Sequence, residues 1–108
     1  MDAPDLLPGT LDMLILKTLT RGTNHGYGIA QHIHRVSRDA LRIGEGSLYP
    51  ALQRLLLNGW VEAEWGTSET NRKARYYKLT PAGRKQLAAE VKSFDFLMTA
   101  IARVMEGA

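Results

Sequence analysis

The chain has 108 residues, 44% of them hydrophobic and 23% charged, with a net charge of +3; these are the proportions of one ordinary globular domain. It contains no cysteine, which excludes disulfides, thiolate nucleophiles and cysteine-based metal sites. Met1–Pro8 carries two aspartates and two prolines in place of a basic and then apolar leader, and no run approaches the ~18 apolar residues of a membrane span, so a cytoplasmic location and no membrane partner are expected.

A first helix is expected from Leu11 to Arg21, with Thr10 as N-cap, Asp12 in the first turn and Gly22 closing it. Leu11, Met13, Leu14, Ile15, Leu16 and Leu19 leave little polar surface. A helix apolar nearly all round is buried on more than one side, which in so small a domain points to a second chain against Leu11 and Leu14. The second helix is expected over Tyr27–Val36, with Ile29, Ile33 and Val36 on one face. The third starts a few residues before Pro50, because proline is tolerated only in the first turn, where backbone N–H groups lack helical partners. It stops at Asn58-Gly59.

Two strands follow, Trp60–Trp65 and Arg75–Leu79, joined by a turn of about eight residues, Gly66–Lys73. Strand alternation places Tyr77 with Arg75 and Leu79, so one of Tyr76 and Tyr77 should pack beneath the sheet. Thr80 then caps a fourth helix, with Pro81 at its first position. Leu87, Val91, Phe94, Met98, Ile101 and Met105 are spaced 4, 3, 4, 3, 4, the a/d seam of a coiled coil. Such a helix reaches about 35 Å, and its distal half overhangs the domain. Pairing with a second copy is the better expectation than folding back. The fold class is therefore mainly α with a small β-hairpin: a winged helix-turn-helix over residues 1–80, then a dimerisation helix over 81–108.

Charge is uneven along this plan. Residues 66–85 hold Arg72, Lys73, Arg75, Lys78, Arg84 and Lys85 against Glu69 alone, a local +5, so the remaining residues sum to −2. A localised basic strip suits a polyanion. On the third helix, Leu48, Ala51, Leu52 and Leu55 share one arc, while Ser47, Pro50, Gln53 and Arg54 lie opposite and Tyr49 at the edge. Arg can bridge guanine O6 and N7, Gln adenine N6 and N7, and Ser and Tyr reach phosphates. A merely solvated face usually carries Lys and Glu, yet no acid occurs from Ser47 to Gly59. The wing residues Asn71, Arg72, Lys73 and Arg75 would clamp a backbone or enter a minor groove.

Other signals carry little. Gly26-Tyr27-Gly28 and Gly44-Glu45-Gly46 lack the preceding strand and third glycine of a phosphate-cradling loop. His32 and His34 point to nearly opposite sides of a helix, and His25 and His32, which could share a face, have no carboxylate nearby to complete a metal site; no Ser, His and Asp arrangement suggests catalysis. No metal, no cofactor and no enzymatic activity are expected.

Three segments, His25-Gly26-Tyr27-Gly28-Ile29, Gly46–Leu52 (GSLYPAL) and Asn71–Gly83 (NRKARYYKLTPAG), resemble the PadR family of bacterial transcriptional regulators, over about Leu7 to Leu87. The resemblance implies a winged-helix domain, a homodimer built on the C-terminal helix with help from the first, and repression by occupancy of a two-fold related operator, relieved by an effector. Carried over by position, it implies DNA contacts from Tyr27, Ser47, Tyr49, Pro50, Gln53, Arg54, Asn71, Arg72, Lys73 and Arg75. Two features depart from the pattern: Leu56 and Leu57 stand where many relatives are charged, and the C-terminal region is a single short helix. Double-stranded DNA and a second copy are thus the expected partners, and a small apolar effector between the long helices is a further candidate. The alternative is a winged-helix protein-interaction module whose basic wing meets an acidic partner.

Overall fold

The computed structural model describes residues 8–107; Met1–Leu7, which carry most of the expectation of no leader, lie outside the described residues, as does Ala108. The chain forms α1 (Pro8–Leu19), β1 (Asn24–His25), α2 (Gly26–Val36), α3 (Glu45–Leu57), β2 (Val61–Thr67), β3 (Lys73–Leu79) and α4 (Pro81–Met105). The strands make one antiparallel sheet in the order β1-β3-β2. Three helices, a two-stranded wing and a trailing helix constitute a winged helix with an appended α4.

The helix α1 starts at Pro8, so Thr10 lies inside it and is not its N-cap. Proline opens a helix well because its missing N–H is one the first turn leaves unpaired anyway. Asp12 consequently falls beyond the first turn, and its carboxylate faces Arg54 instead. Gly22 does end the segment: its φ is +136°, and its N–H donates to the Leu19 carbonyl at 3.2 Å.

The wing departs from expectation at its tip. Both strands run two residues further, and the turn is Ser68–Arg72. Gly66 does not begin the turn. It sits in β2 opposite Ala74, where an added Cβ would lie 3.0 Å from the Tyr76 ring, so the glycine marks a close approach within a strand. Asn71 supplies the left-handed residue of the turn, with φ +60°. The hydroxyl of Tyr76 donates to the Thr67 carbonyl at 3.1 Å and ties the two strands together. The strand β1, absent from the sequence reading, pairs Asn24 with Tyr77 and His25 with Tyr76.

The core collects Leu11, Ile15, Leu16 and Leu19 from α1, Ile29 and Ile33 from α2, Leu48, Ala51, Leu52 and Leu55 from α3, and Val61, Tyr77 and Leu79 from the sheet. Leu11 is therefore buried within its own chain, which accounts for much of the apolar breadth of α1 without a partner. Leu14 stays half-buried at the edge of that core. Tyr77 is the ring packed beneath the sheet.

Thr80 caps α4 as expected. Its hydroxyl accepts from the Gly83 N–H at 3.0 Å and donates to the Gly59 carbonyl at 2.7 Å. Position 83 must be glycine because an added Cβ would run into the Trp60 carbonyl. Leu87 packs on the core. Beyond it, α4 continues unbroken to Met105 with Val91, Met98, Ile101 and Met105 exposed and Phe94 half-buried. It does not fold back on the domain. The radius of gyration is 15.1 Å, above the ~13 Å of a compact chain of this length.

Candidate nucleic-acid interface

The helix α3 divides as its periodicity requires. Leu48, Ala51, Leu52 and Leu55 are buried, while Ser47, Tyr49, Pro50, Gln53 and Arg54 are exposed. Leu57, one of the two leucines that depart from the family pattern, is 77% exposed. Glycine at position 26 lets the start of α2 lie against α3: a Cβ there would meet the Tyr49 ring at 3.2 Å and the Leu48 side chain at 3.5 Å. Tyr27 and Tyr49 thus line one groove of about 340 Å³ between α2 and α3, together with Ile43 and Arg42. Both phenols are open to solvent, and Tyr27 accepts a hydrogen bond from the Gln31 amide one turn on.

His25 caps α2, its Nδ1 accepting from the Gly28 N–H at 3.0 Å. Its ring meets Tyr76 edge-on at 5.3 Å between centroids. The imidazole is a structural pin between α2 and β3. Among the described residues no group of three His, Asp or Glu side chains could hold an ion.

On the wing, Asn71, Arg72, Lys73 and Arg75 are all exposed. Lys73 and Arg75 lie on the same strand face as Tyr77. The Arg75 guanidinium stands 6.0 Å over the Tyr77 ring. Burial pushes the Tyr77 phenol upward, and the Arg75 charge opposes that shift. Trp65, opposite Arg75 in the ladder, is 64% exposed, with the Lys73 ammonium 5.4 Å from its ring. Sequence reasoning missed this residue. By alternation with Val61 and Ala63 it falls on the inward face, but the core ends before it.

One predicted residue also has a partner within the chain. The Arg54 guanidinium donates to the Asp12 carboxylate of α1 at 2.8 Å, so its Nη2 is engaged within the chain while the side chain stays 44% exposed. Tyr27 thus lines one groove with Tyr49 and a neighbouring cleft with Arg72, and Arg54 reaches towards α1. No helix among the described residues is long and apolar enough to cross a membrane.

The fold agrees with comparisons to known proteins. Residues 15–89 match the sequence profile described as the Transcriptional regulator PadR-like family. The chain belongs to that family. An uncharacterised protein of Lysinibacillus sphaericus is 32% identical over 95% of this chain and 94% of its own length. A transcriptional regulator of Mycobacterium tuberculosis is 34% identical over 68% of this chain and 64% of its own. Among solved structures, a transcriptional regulator from Clostridium thermocellum superposes with a TM-score of 0.81 at 30% identity, over 88% of this chain and 92% of that one. A PadR-like transcriptional regulator from Bacillus cereus does so with 0.75 at 25%, over 93% and 95%. This PadR-family chain is thus a transcriptional regulator of winged-helix fold, in a family of regulators and not of enzymes.

Proposed function

We propose that the chain is a homodimeric, sequence-specific DNA-binding repressor. The observation that carries this reading is an exposed, acid-free face on α3 (Ser47, Tyr49, Pro50, Gln53) and an exposed cationic wing (Asn71, Arg72, Lys73, Arg75), linked by Tyr27, which lines a groove with Tyr49 and a cleft with Arg72. In this reading α3 enters the major groove, Gln53 reads a base edge, and Tyr27, Ser47 and Tyr49 hold phosphates. The wing cations bind the backbone or the adjacent minor groove. Arg54 braces α3 against α1 instead of reading a base.

The overhanging part of α4 supports the dimer. Val91, Met98, Ile101 and Met105 leave apolar surface in water at coiled-coil spacing. Two copies paired there would present their α3 helices to half-sites about one helical turn apart. An effector that binds between the α4 helices, near Phe94 and Met98, would release the operator by changing that pairing. Selection from a randomised duplex library tests the whole reading. A palindromic product is the expected result, whereas no enriched motif would favour a protein-interaction module.

A further inference from the structure

A cleft of about 820 Å³ separates α2 from the wing tip. One wall is the α2 stripe Gly28, Gln31, His32 and Arg35, spaced i, i+3, i+4, i+7 so that all four face the same way. The facing wall is the turn between β2 and β3, with Arg72, and Arg21 stands at the end leading out of α1. The sequence reading assigned Arg21, His32 and Arg35 no role in DNA contact.

The cleft is strongly biased in charge. Arg21, Arg35 and Arg72 are exposed, and among the described residues the ion pairs are His34–Asp39 and Arg54–Asp12, so none of the three has a carboxylate partner. Glu69 is the one acid in the lining, and α2 contains no Asp or Glu. A helix face that merely meets solvent mixes both signs. The His32 pKa is lowered by burial and then by the Arg21 and Arg35 charges, so these two cations act on the space His32 occupies. The Arg35 Nη2 lies 3.4 Å from the His32 Nδ1. Tyr27 and Arg72 belong both to this cleft and to the proposed contact set, which makes the two surfaces continuous.

We propose that this cleft holds the phosphate backbone of duplex DNA flanking each half-site, through Arg21 and Arg35, continuing the backbone contact that Arg72 makes at the half-site itself. The inference rests on the DNA-binding reading above and extends its footprint outward. Charge supplies the contact and no base edge is read, so the gain depends on duplex length and salt, not on flanking sequence.

The test compares the wild type with an Arg21→Ala/Arg35→Ala variant, whose folding is checked by thermal melting. Each is titrated with the selected operator trimmed to its two half-sites, and with the same operator extended by half a turn of arbitrary sequence at each end. Wild type should bind the extended duplex more tightly, and the advantage should shrink roughly tenfold per subunit between about 50 and 200 mM salt, as expected for two phosphates. The variant should bind the trimmed duplex like wild type and lose the gain from extension. An extension that adds nothing for wild type, or a variant equally weakened on both duplexes, overturns the proposal. Wild-type binding of inorganic tripolyphosphate, with no effect of duplex length, would assign the cleft to a free anion and also overturn it. If wild type binds neither duplex, the DNA-binding reading itself has failed, a result distinct from the others.

Discussion

Arg54 of α3 and Asp12 of α1 form an ion pair 2.8 Å long, with the Asp12 side chain only 12% exposed and the Arg54 side chain 44%. The contact joins two core helices from residues 42 apart in sequence. Its worth is that of a half-exposed pair, roughly 1 kcal/mol or less. A double-mutant cycle of Asp12→Ala and Arg54→Ala in urea unfolding should return a coupling of that order. On operator DNA, Arg54→Ala should leave base preference intact. A change of preferred base on loss of Arg54 would restore it to the reading set.

Gln53 and Lys73 should separate by the kind of loss they cause. Gln53→Ala is expected to relax discrimination at one base pair at a cost of roughly 1–3 kcal/mol. Lys73→Ala should weaken all duplexes alike and reduce the salt slope by about one unit. Binding isotherms at three salt concentrations, on operator and on a scrambled duplex, check both.

Ile101 lies in the exposed α4 seam, 44% open to water. Placing a charge there should be intolerable in a paired helix and harmless in a lone one. Light scattering of Ile101→Glu should therefore fall from twice the chain mass to the 12.0 kDa of one chain. Phe96 is 79% exposed and two residues on from Phe94, which sets it about 200° away around the helix; Phe96→Ser should leave the mass unchanged. A wild type that scatters as a monomer would end the dimer reading.

Gly→Ala inside a helix ordinarily stabilises by up to about 1 kcal/mol. Gly83→Ala should do the opposite, because the new methyl would strike the Trp60 carbonyl and sit 2.8 Å from a Leu79 methyl. Overpacking of this kind costs roughly 1–3 kcal/mol. The denaturation midpoint reads the sign directly.

His32 gives a pH dependence whose sign is set by its lowered pKa. The unfolded chain takes up a proton as pH falls through about 6.5, whereas the folded chain resists until a lower pH. Stability is therefore full above that window and declines as pH drops through it. His32→Gln should flatten the decline between about pH 7.5 and 5.5, measured as the urea midpoint at each pH. An unchanged slope would show that the imidazole does not feel its neighbours.

Most of the architecture is legible in the sequence because it rests on strong local chemistry. The Thr80-Pro81 start, the split of α3 into apolar and polar arcs, and the seam spacing of α4 each follow from one residue's preference or one period. The features that escaped depend on distant partners. Asp12 looks like a helix-start acid until α3 brings Arg54 beside it, and Gly66 looks like a turn until Tyr76 is seen to need its space. Two residues, Asn24 and His25, are too few to signal a strand without β3 alongside. Likewise Trp65 belongs by alternation to a buried face, and only the finite reach of the core leaves it in water. Arg21, His32 and Arg35 are separate surface residues in sequence, and the α2 helix and the α1–α2 turn assemble them into one wall.

The single residue between β3 and α4 has a mechanical consequence. Thr80 is held by both its N–H, to the Trp60 carbonyl, and its hydroxyl, to Gly59, while Gly83 wedges α4 against the same carbonyl. Wing and shaft thereby meet across a single residue that is hydrogen-bonded on both sides. In the proposed dimer, a small torque on the crossing shafts would swing the two wings apart as levers, and a ligand far from the duplex could alter operator fit without touching a single groove-facing side chain.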